Sequence, residues 1–275
     1  PNIALLSGIA WDHINVFPTF DNYVEQFKIF VDSIVNGGSI TYNIEDAAVK
    51  EVVEASENAI RKLPYTTPEY TVENGETLLE TNEGPMPIEV FGKHNLSNLA
   101  GAKWICQNMG VDEDDFYEAI ATFKGASKRL EKIAEGNSSI AYKDFAHSPS
   151  KVAATTKAVK EQYPNRKLIA CLELHTYSSF NPEFLKEYKG ALDAADEAVI
   201  FFLPESVAIK KLEAVTPEQI SEAFQRNDLN IFTDAESFHE FIGNKVYENS
   251  TLLLMSSGNY GGLDLNNLKN LIVNV

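Results

Sequence analysis

Positive charge, cysteine and long apolar runs are all scarce in this sequence. Of its 275 residues only 23 are Lys or Arg, against 40 Asp or Glu, so the formal net charge is −17. A chain of that sign lacks the basic surface that nonspecific nucleic-acid binding needs, and anionic membrane surfaces repel it. Anionic ligands stay open, because helix N-termini and local cationic clusters bind them against the global field. No apolar run approaches the roughly 20 residues of a membrane span, and no signal-peptide pattern is seen. The two cysteines, Cys106 and Cys171, lie far apart without C-x-x-C spacing. Buried thiols in a reducing compartment are expected, with one disulfide left open. There is no G-x-x-x-x-G-K-[ST], hence no P-loop, and no G-x-G-x-x-G after a strand, so a dinucleotide oxidoreductase lacks its fingerprint. The first residue is Pro1 rather than Met, which leaves room for an upstream part.

What is present is a chain that is 44% hydrophobic, enough for a sizeable core. At about 150 residues per domain it suggests one or two domains. Strand and helix patterns alternate. Residues 2–6 read as a buried strand. Phe20, Tyr23, Val24, Phe27, Val31 and Ile34 then recur at helical spacing, and Asn36-Gly37-Gly38 is expected to cap that helix. Residues 39–42 read as strand and 46–62 as helix. Residues 65–90 suggest short antiparallel strands, and 96–109 and 114–123 two helices. Gly125-Ala126-Ser127 reads as a linker, dividing the chain into 1–125 and 126–275. Beyond it, strands at 139–142, 167–172, 198–202, 230–232 and 251–255 alternate with helices at 151–162, 182–195, 216–226 and 235–246. The class is α/β, and repeated βαβ units imply a mostly parallel sheet covered on both faces.

Four polar clusters carry candidate chemistry. The segment Asp144-Phe145-Ala146-His147-Ser148-Pro149 puts an Asp and a His at the C-terminal end of a strand, where open α/β sheets bind ligands. The same residues also suit an Asx turn leading into a helix capped by Ser148 and opened by Pro149. Asp12-His13 follows the first strand; His is a metal ligand or base, and the pair equally suits a loop cap. Lys28 lies 15 residues beyond His13, so loop and helix could bring the two together, while a solvated helix lysine explains it as well. In Gly92-Lys93-His94-Asn95-Leu96-Ser97-Asn98 two amides fall three apart on one helical face. Amides match the edge of an adenine. An Asn N-cap accounts for one of them but not for both, nor for the His. Arg129 suits a phosphate and Asp144 ribose hydroxyls, or the two form a surface pair of little energetic weight.

The order of these clusters over essentially the whole chain resembles the Mur ligases of peptidoglycan synthesis. The carriers are Asp12-His13, Gly92-x-His94-Asn95-x-x-Asn98, Lys128-Arg129-Leu130-Glu131 and Asp144-Phe145-Ala146-His147-Ser148-Pro149. The resemblance implies the last part of a P-loop-type central ATPase domain, then a Rossmann-like C-terminal domain. The P-loop and a UDP-sugar-binding domain would lie upstream of Pro1. It implies a cytoplasmic enzyme in which ATP and Mg2+ activate the carboxylate of UDP-N-acetylmuramate as an acyl phosphate, which an amine then attacks. By the same resemblance His13 helps hold Mg2+. Lys28 falls where several members carry a carbamylated lysine. His94, Asn95 and Asn98 contact the adenine, Arg129 lies near the transferred phosphate, Asp144 binds the ribose, and His147 faces an interdomain cleft. Lys28, Arg129 and His147 are therefore the expected catalytic residues.

The spelling Asp-Phe-Ala-His resembles the branch that adds L-alanyl-γ-D-glutamyl-meso-diaminopimelate during recycling; the L-alanine-adding branch usually has Asp-Tyr-Gly-His. Leu174-His175-Thr176-Tyr177-Ser178-Ser179 resembles the alanine branch's His-Arg-Tyr-x-Arg, but Thr176 and Ser179 replace both arginines that would suit a free carboxylate. Ser7-Gly8 stands where relatives usually have Thr-Asn. The tripeptide acceptor is favoured, with L-alanine the alternative. A metal-dependent hydrolase using Asp12, His13, His94, Asp144 and His147 matches no zinc spacing. A noncatalytic binding module is the remaining rival.

Overall fold

A computed structural model describes residues 1–210 and 215–275. The chain divides into two units, Pro1–Lys124 and Gly125–Val275.

The first unit contains two small sheets. Strands β1 (Ile3–Leu6), β2 (Ser39–Asn43) and β3 (Arg61–Tyr65) form a parallel sheet in that order. Helix α1 (Phe20–Asp32) connects the first two strands and α2 (Ala47–Ala55) the second and third. Both present apolar stripes to the sheet: Val31 and Ile34 pack with Val49, Val52 and Val53 against Ala4, Leu6, Ile40 and Tyr42. Each helix starts on a side-chain cap, Thr19 Oγ1 accepting from the Asn22 N–H and Asp46 Oδ1 from the Val49 N–H. An antiparallel meander follows, β4 (Tyr70–Glu73), β5 (Glu76–Thr81) and β6 (Gly84–Ile88). On it α3 (Lys93–Asn108) and α4 (Glu113–Ala121) bury Leu96, Leu99 and Phe116 against Leu79 and Ile88. β6 is an edge strand that carries Pro85 and Pro87 opposite Glu80 and Leu78.

The second unit is built on a six-stranded sheet. Its strands are β7 (Glu131–Glu135), β8 (Ile140–Asp144), β9 (Lys167–Glu173), β10 (Glu197–Phe201), β11 (Asn230–Phe232) and β12 (Ser250–Met255). The spatial order is β11-β10-β9-β12-β8-β7, all parallel except the edge strand β7, whose pairing with β8 shifts register between Lys132 and Ala134. Helices α5 (Pro149–Gln162), α6 (Pro182–Leu185), α7 (Pro204–Ile209), α8 (Pro217–Phe224), α9 (Ala235–Gly243) and α10 (Leu265–Val273) complete it. The central strands are mostly apolar, as a sheet buried on both faces requires. A Rossmann-like α/β unit of this kind aims β8, β12 and β9 the same way, so Asp144, Met255 and Glu173 end side by side.

Several elements differ from the sequence reading. The first helix ends at Asp32 with Ser33 as its cap, four residues before Gly37, whose φ of +82° serves the turn into β2 instead. The helix expected over 46–62 stops at Ala55. Asn58 turns the chain by donating to the carbonyls of Val31 and Ile34, and Arg61–Tyr65 becomes a strand. The helix expected over 182–195 shrinks to α6 and a single 3-10 turn, Lys186–Tyr188; Gly190, at φ +73°, then bonds to the Phe224 carbonyl. β7, α7 and α10 were not expected. Both cysteines are free, and Cys171 is fully buried. Among the described residues no helix is long and apolar enough to cross a membrane.

Candidate functional site

In the second unit the site begins with a carboxylate that the backbone holds from two sides. Asp144, only 4% exposed, closes β8. Its Oδ1 accepts from the Ala146 N–H at 2.6 Å, an Asx turn, and its Oδ2 from the Leu130 N–H at 2.7 Å. Bonds to a charged acceptor are worth about 1.5–3 kcal/mol each. They fasten a loop that is strained on its own: Lys128 and Leu130 have φ of +57° and +44°, a region that costs a side-chain-bearing residue about 1–2 kcal/mol. The Phe145 N–H donates to the Lys128 carbonyl at 2.9 Å and completes the clasp.

Arg129 lies between the two strained residues, exposed to solvent. Its guanidinium sits 5.2 Å from the centre of the Phe145 ring, and one Nη1–H bonds to the Lys128 carbonyl. The surface pair with Asp144 is not made; both carboxylate oxygens go to backbone donors instead. His147 packs its ring edge-on to Phe145 at 5.4 Å, and its Nδ1 lies 2.9 Å from the Phe145 carbonyl. A carbonyl only accepts, so Nδ1 carries a proton there. Ser148 is the N-cap residue of α5 but makes no side-chain capping bond; Pro149 fills the first turn. The structure thus gathers Arg129, Asp144 and His147 around Phe145.

In the first unit the polar residues sit at the C-terminal ends of β1 and β2 and at the start of α3. Asn43 donates from Nδ2 to the Ser7 carbonyl at 3.2 Å and to Ser97 Oγ at 3.3 Å, tying both strand ends to that helix. Asp46 Oδ2 accepts from the Ile9 N–H at 3.0 Å. Glu45 joins Lys93 at 2.9 Å and accepts from the Thr67 N–H at 2.8 Å. Burial works to raise the Glu45 carboxyl, but the bonds from Thr67 and Lys93 outweigh it and hold the group below the ordinary carboxylate range. The Asn-x-Glu-Asp run of residues 43–46 at the end of a strand is the sequence signal for this cluster.

Helix α3 begins at Gly92, whose φ of +87° suits glycine, and no Asn caps it. Asn95 Nδ2 donates back to the Phe91 carbonyl at 3.0 Å, while Asn98 is exposed and His94 half-buried. Buried Asp12 accepts from the His13 N–H at 2.8 Å, and His13 itself is exposed in a left-handed turn with φ +55°. Lys28 is not brought to His13; it pairs with Glu25 at 3.5 Å on the solvated face of α1. Among the described residues no three His, Cys, Asp or Glu side chains are arranged to hold a metal ion.

The loop after β9 is closed on itself. Thr176 N–H donates to Ser179 Oγ, Ser179 N–H to Thr176 Oγ1, and Ser179 Oγ to the Thr176 carbonyl, at 3.1, 3.2 and 2.9 Å.

An α/β chain with polar groups collected at the C-terminal ends of parallel strands has the layout of a ligand-binding enzyme. Comparison with known proteins supplies the family. Residues 1–106 match the Mur ligase middle domain, and residues 128–258 match the Mur ligase glutamate ligase domain. The chain belongs to the Mur ligase family. A UDP-N-acetylmuramate–L-alanine ligase of Sulfurihydrogenibium sp. (strain YO3AOP1) is 25% identical over 267 residues, covering 94% of this chain and 58% of that protein. One of Carboxydothermus hydrogenoformans is likewise 25% identical over 274 residues, with 94% and 58% covered. The chain thus spans a little over half the length of the relatives it matches. Among solved structures, a murein peptide ligase of Psychrobacter arcticus superposes with a TM-score of 0.65 at 18% identity, covering 98% of this chain and 58% of that one. The MurF ligase of Thermotoga maritima in complex with ADP gives 0.70 at 15% identity, covering 99% and 61%. At these identities the structures show the shared fold.

Proposed function

We infer that the whole protein is an ATP-dependent ligase that joins an amine to the carboxylate of UDP-N-acetylmuramate through an acyl phosphate. The observation that carries this reading is the clasp of Asp144, Arg129 and His147 at the C-terminal end of β8, in a chain of the Mur ligase family. Each Asp144 oxygen uses one lone pair on a backbone N–H and keeps acceptor capacity for a ribose hydroxyl. Arg129, held on Phe145 with its remaining N–H donors toward solvent, suits a phosphate. His94, Asn95 and Asn98 are assigned to the adenine; Asn98 has the freer amide, whereas Asn95 keeps its carbonyl oxygen available. The fit to Mg2+ is partial: exposed His13 can supply one ring nitrogen, and further ligands would come from the nucleotide and from upstream residues. Bound there, Mg2+ would neutralise phosphate charge. Lys28 stays a weaker candidate, since its partner in this structure is Glu25.

L-Alanine is the acceptor that the names of the relatives support. The tripeptide L-alanyl-γ-D-glutamyl-meso-diaminopimelate is the second reading, and the closed Thr176–Ser179 loop favours it because no guanidinium stands there for a free carboxylate. The deciding experiment measures phosphate release by the full-length protein with ATP, Mg2+ and UDP-N-acetylmuramate, adding either L-alanine or the tripeptide. Turnover with one acceptor selects between them. No turnover with either removes the ligase reading.

A further inference from the structure

A buried carboxylate outside the clasp has no role so far. Glu173 ends β9, two strands from Asp144, with β12 between them. At the usual strand spacing the two ends lie about 10 Å apart. Glu173 is 4% exposed, and a buried charge is expected to be paired. The loop after β12 wraps around it. Ser256 Oγ donates to Oε2, and the Tyr260 N–H donates to the same oxygen at 2.9 Å. The Gly258 backbone lies so close that a Cβ there would meet Oε2 at 2.7 Å and Oε1 at 2.9 Å. The Tyr260 hydroxyl, fully buried, sits 2.7 Å from the Cys171 carbonyl and 2.8 Å from the Met255 carbonyl, clamping the loop to β9 and β12. Ser256 also bonds through its N–H to the Asp144 carbonyl at 3.0 Å, so one residue ties the two strand ends together.

Oε1 faces His175. Its Nδ1 is 4.0 Å away, and the ring is 45% exposed. Among the described residues His175 is the cation-forming side chain that Glu173 has for a partner. We propose that Glu173 is a positioning residue that orients His175 to take the proton of the acceptor's ammonium group. A carboxylate beside Nδ1 selects the tautomer protonated there, turns Nε2 outward with its lone pair, and stabilises the imidazolium as it forms. At 4.0 Å the two are not hydrogen-bonded here; on this proposal the contact tightens when substrate binds, as catalytic contacts often do. The acceptor R–NH3+ gives its proton to Nε2. The freed lone pair attacks the acyl carbon and the C–N bond forms; the C–O bond to phosphate breaks, and the phosphate leaves with the electron pair and takes the second N–H proton, giving HPO4(2−) and the amide. Ser256 and the Gly258 backbone keep the Glu173 carboxylate in place.

This rests on the ligase reading above, and the test separates the two. In the full-length protein, kcat and the acceptor KM are measured with L-alanine and with the tripeptide at saturating ATP and UDP-N-acetylmuramate, for wild type, H175Q, E173Q and the double variant. Acceptor-independent acyl phosphate formation is followed by positional isotope exchange in ATP. H175Q is expected to lower kcat/KM for the acceptor by about 100-fold or more, the scale of general-base catalysis. E173Q is expected to lower it by about 10- to 100-fold, the scale of an orienting partner. The double variant should be no worse than H175Q, and isotope exchange should stay at the wild-type rate. The ¹⁵N spectrum of His175 should show Nδ1–H in wild type and lose that preference in E173Q, a change that a merely structural Glu173 would not produce. Wild-type acceptor kinetics in H175Q, or additive losses in the double variant, overturn the proposal while leaving the ligase reading intact. A wild-type protein that ligates neither acceptor overturns that reading itself.

Discussion

Replacing Asp144 tests whether the clasp is built as described. The carboxylate satisfies two backbone donors, Leu130 N–H and Ala146 N–H, and is 4% exposed. Asp144→Asn keeps one carbonyl oxygen and turns an NH2 toward the other donor, leaving one buried N–H facing a donor. An unsatisfied buried group costs about 1–3 kcal/mol. Asp144→Ala orphans both and should cost about twice that, a large share of a stability of about 5–15 kcal/mol. The loss should be local, because the Leu130 bond restrains a left-handed backbone. Amide hydrogen exchange is the direct assay. One of the two amides should exchange roughly 5- to 150-fold faster in Asp144→Asn, the equivalent of about 1–3 kcal/mol, and both in Asp144→Ala. If both amides keep wild-type protection in Asp144→Ala, the carboxylate does not hold this loop and the clasp is refuted.

Three further outcomes follow from the packing. Burial works to raise Glu197, but Lys167 at 2.8 Å and Lys245 at 2.5 Å outweigh it and hold its carboxyl below the ordinary range. A folded value below the unfolded one, about 4.3, means stabilisation that is complete above that pH and lost as pH falls through the folded value. E197Q should therefore be less stable at neutral pH and show a flatter acid limb in urea titrations; an unchanged acid limb refutes the ion pairs. Burial pushes the Cys171 thiol up, so an aromatic disulfide reagent should label Cys171 only on unfolding, and labelling in the native protein would contradict the packing of β9. Gly38→Ala would place a Cβ 2.7 Å from the Asn2 carbonyl and 2.9 Å from Ile34 Cγ2. It should cost about 1–3 kcal/mol, seen as a lower Tm, and a wild-type Tm would refute that close approach.

How far the sequence could be read depended on the distance over which each feature is determined. β2, β12 and α5 are legible because apolar runs and Pro149 act within a few residues. β3 was not, since the end of α2 depends on Asn58 reaching carbonyls 24 and 27 residues away. The same holds for the site. The Asp144 to Pro149 segment could be read as a strand end followed by a helix start, and the Asx turn to Ala146 was one of its two local readings. The second half of the clasp was not visible, because Leu130 donates across 14 residues. Glu173 is not legible in the sequence because its partners Ser256 and Tyr260 lie 83 and 87 residues further on. Charge alone makes Arg129 and Asp144 candidate partners. The backbone competes for the carboxylate, and wins because two N–H groups inside the fold have no other acceptor.

The paired prolines of β6 bear on how the protein behaves among copies of itself. Pro85 and Pro87 are two apart, so they share one side of the strand, and neither can donate a hydrogen bond. The ladder to β5 must then draw its donors from Gly84, Met86 and Ile88, leaving the outward side of β6 with carbonyls but no N–H at two successive positions. A passing strand that tried to extend the sheet there would meet acceptors only. That edge of the meander is thereby closed to growth by its own covalent chemistry, a safeguard against polymerisation there that needs neither charge nor a covering loop.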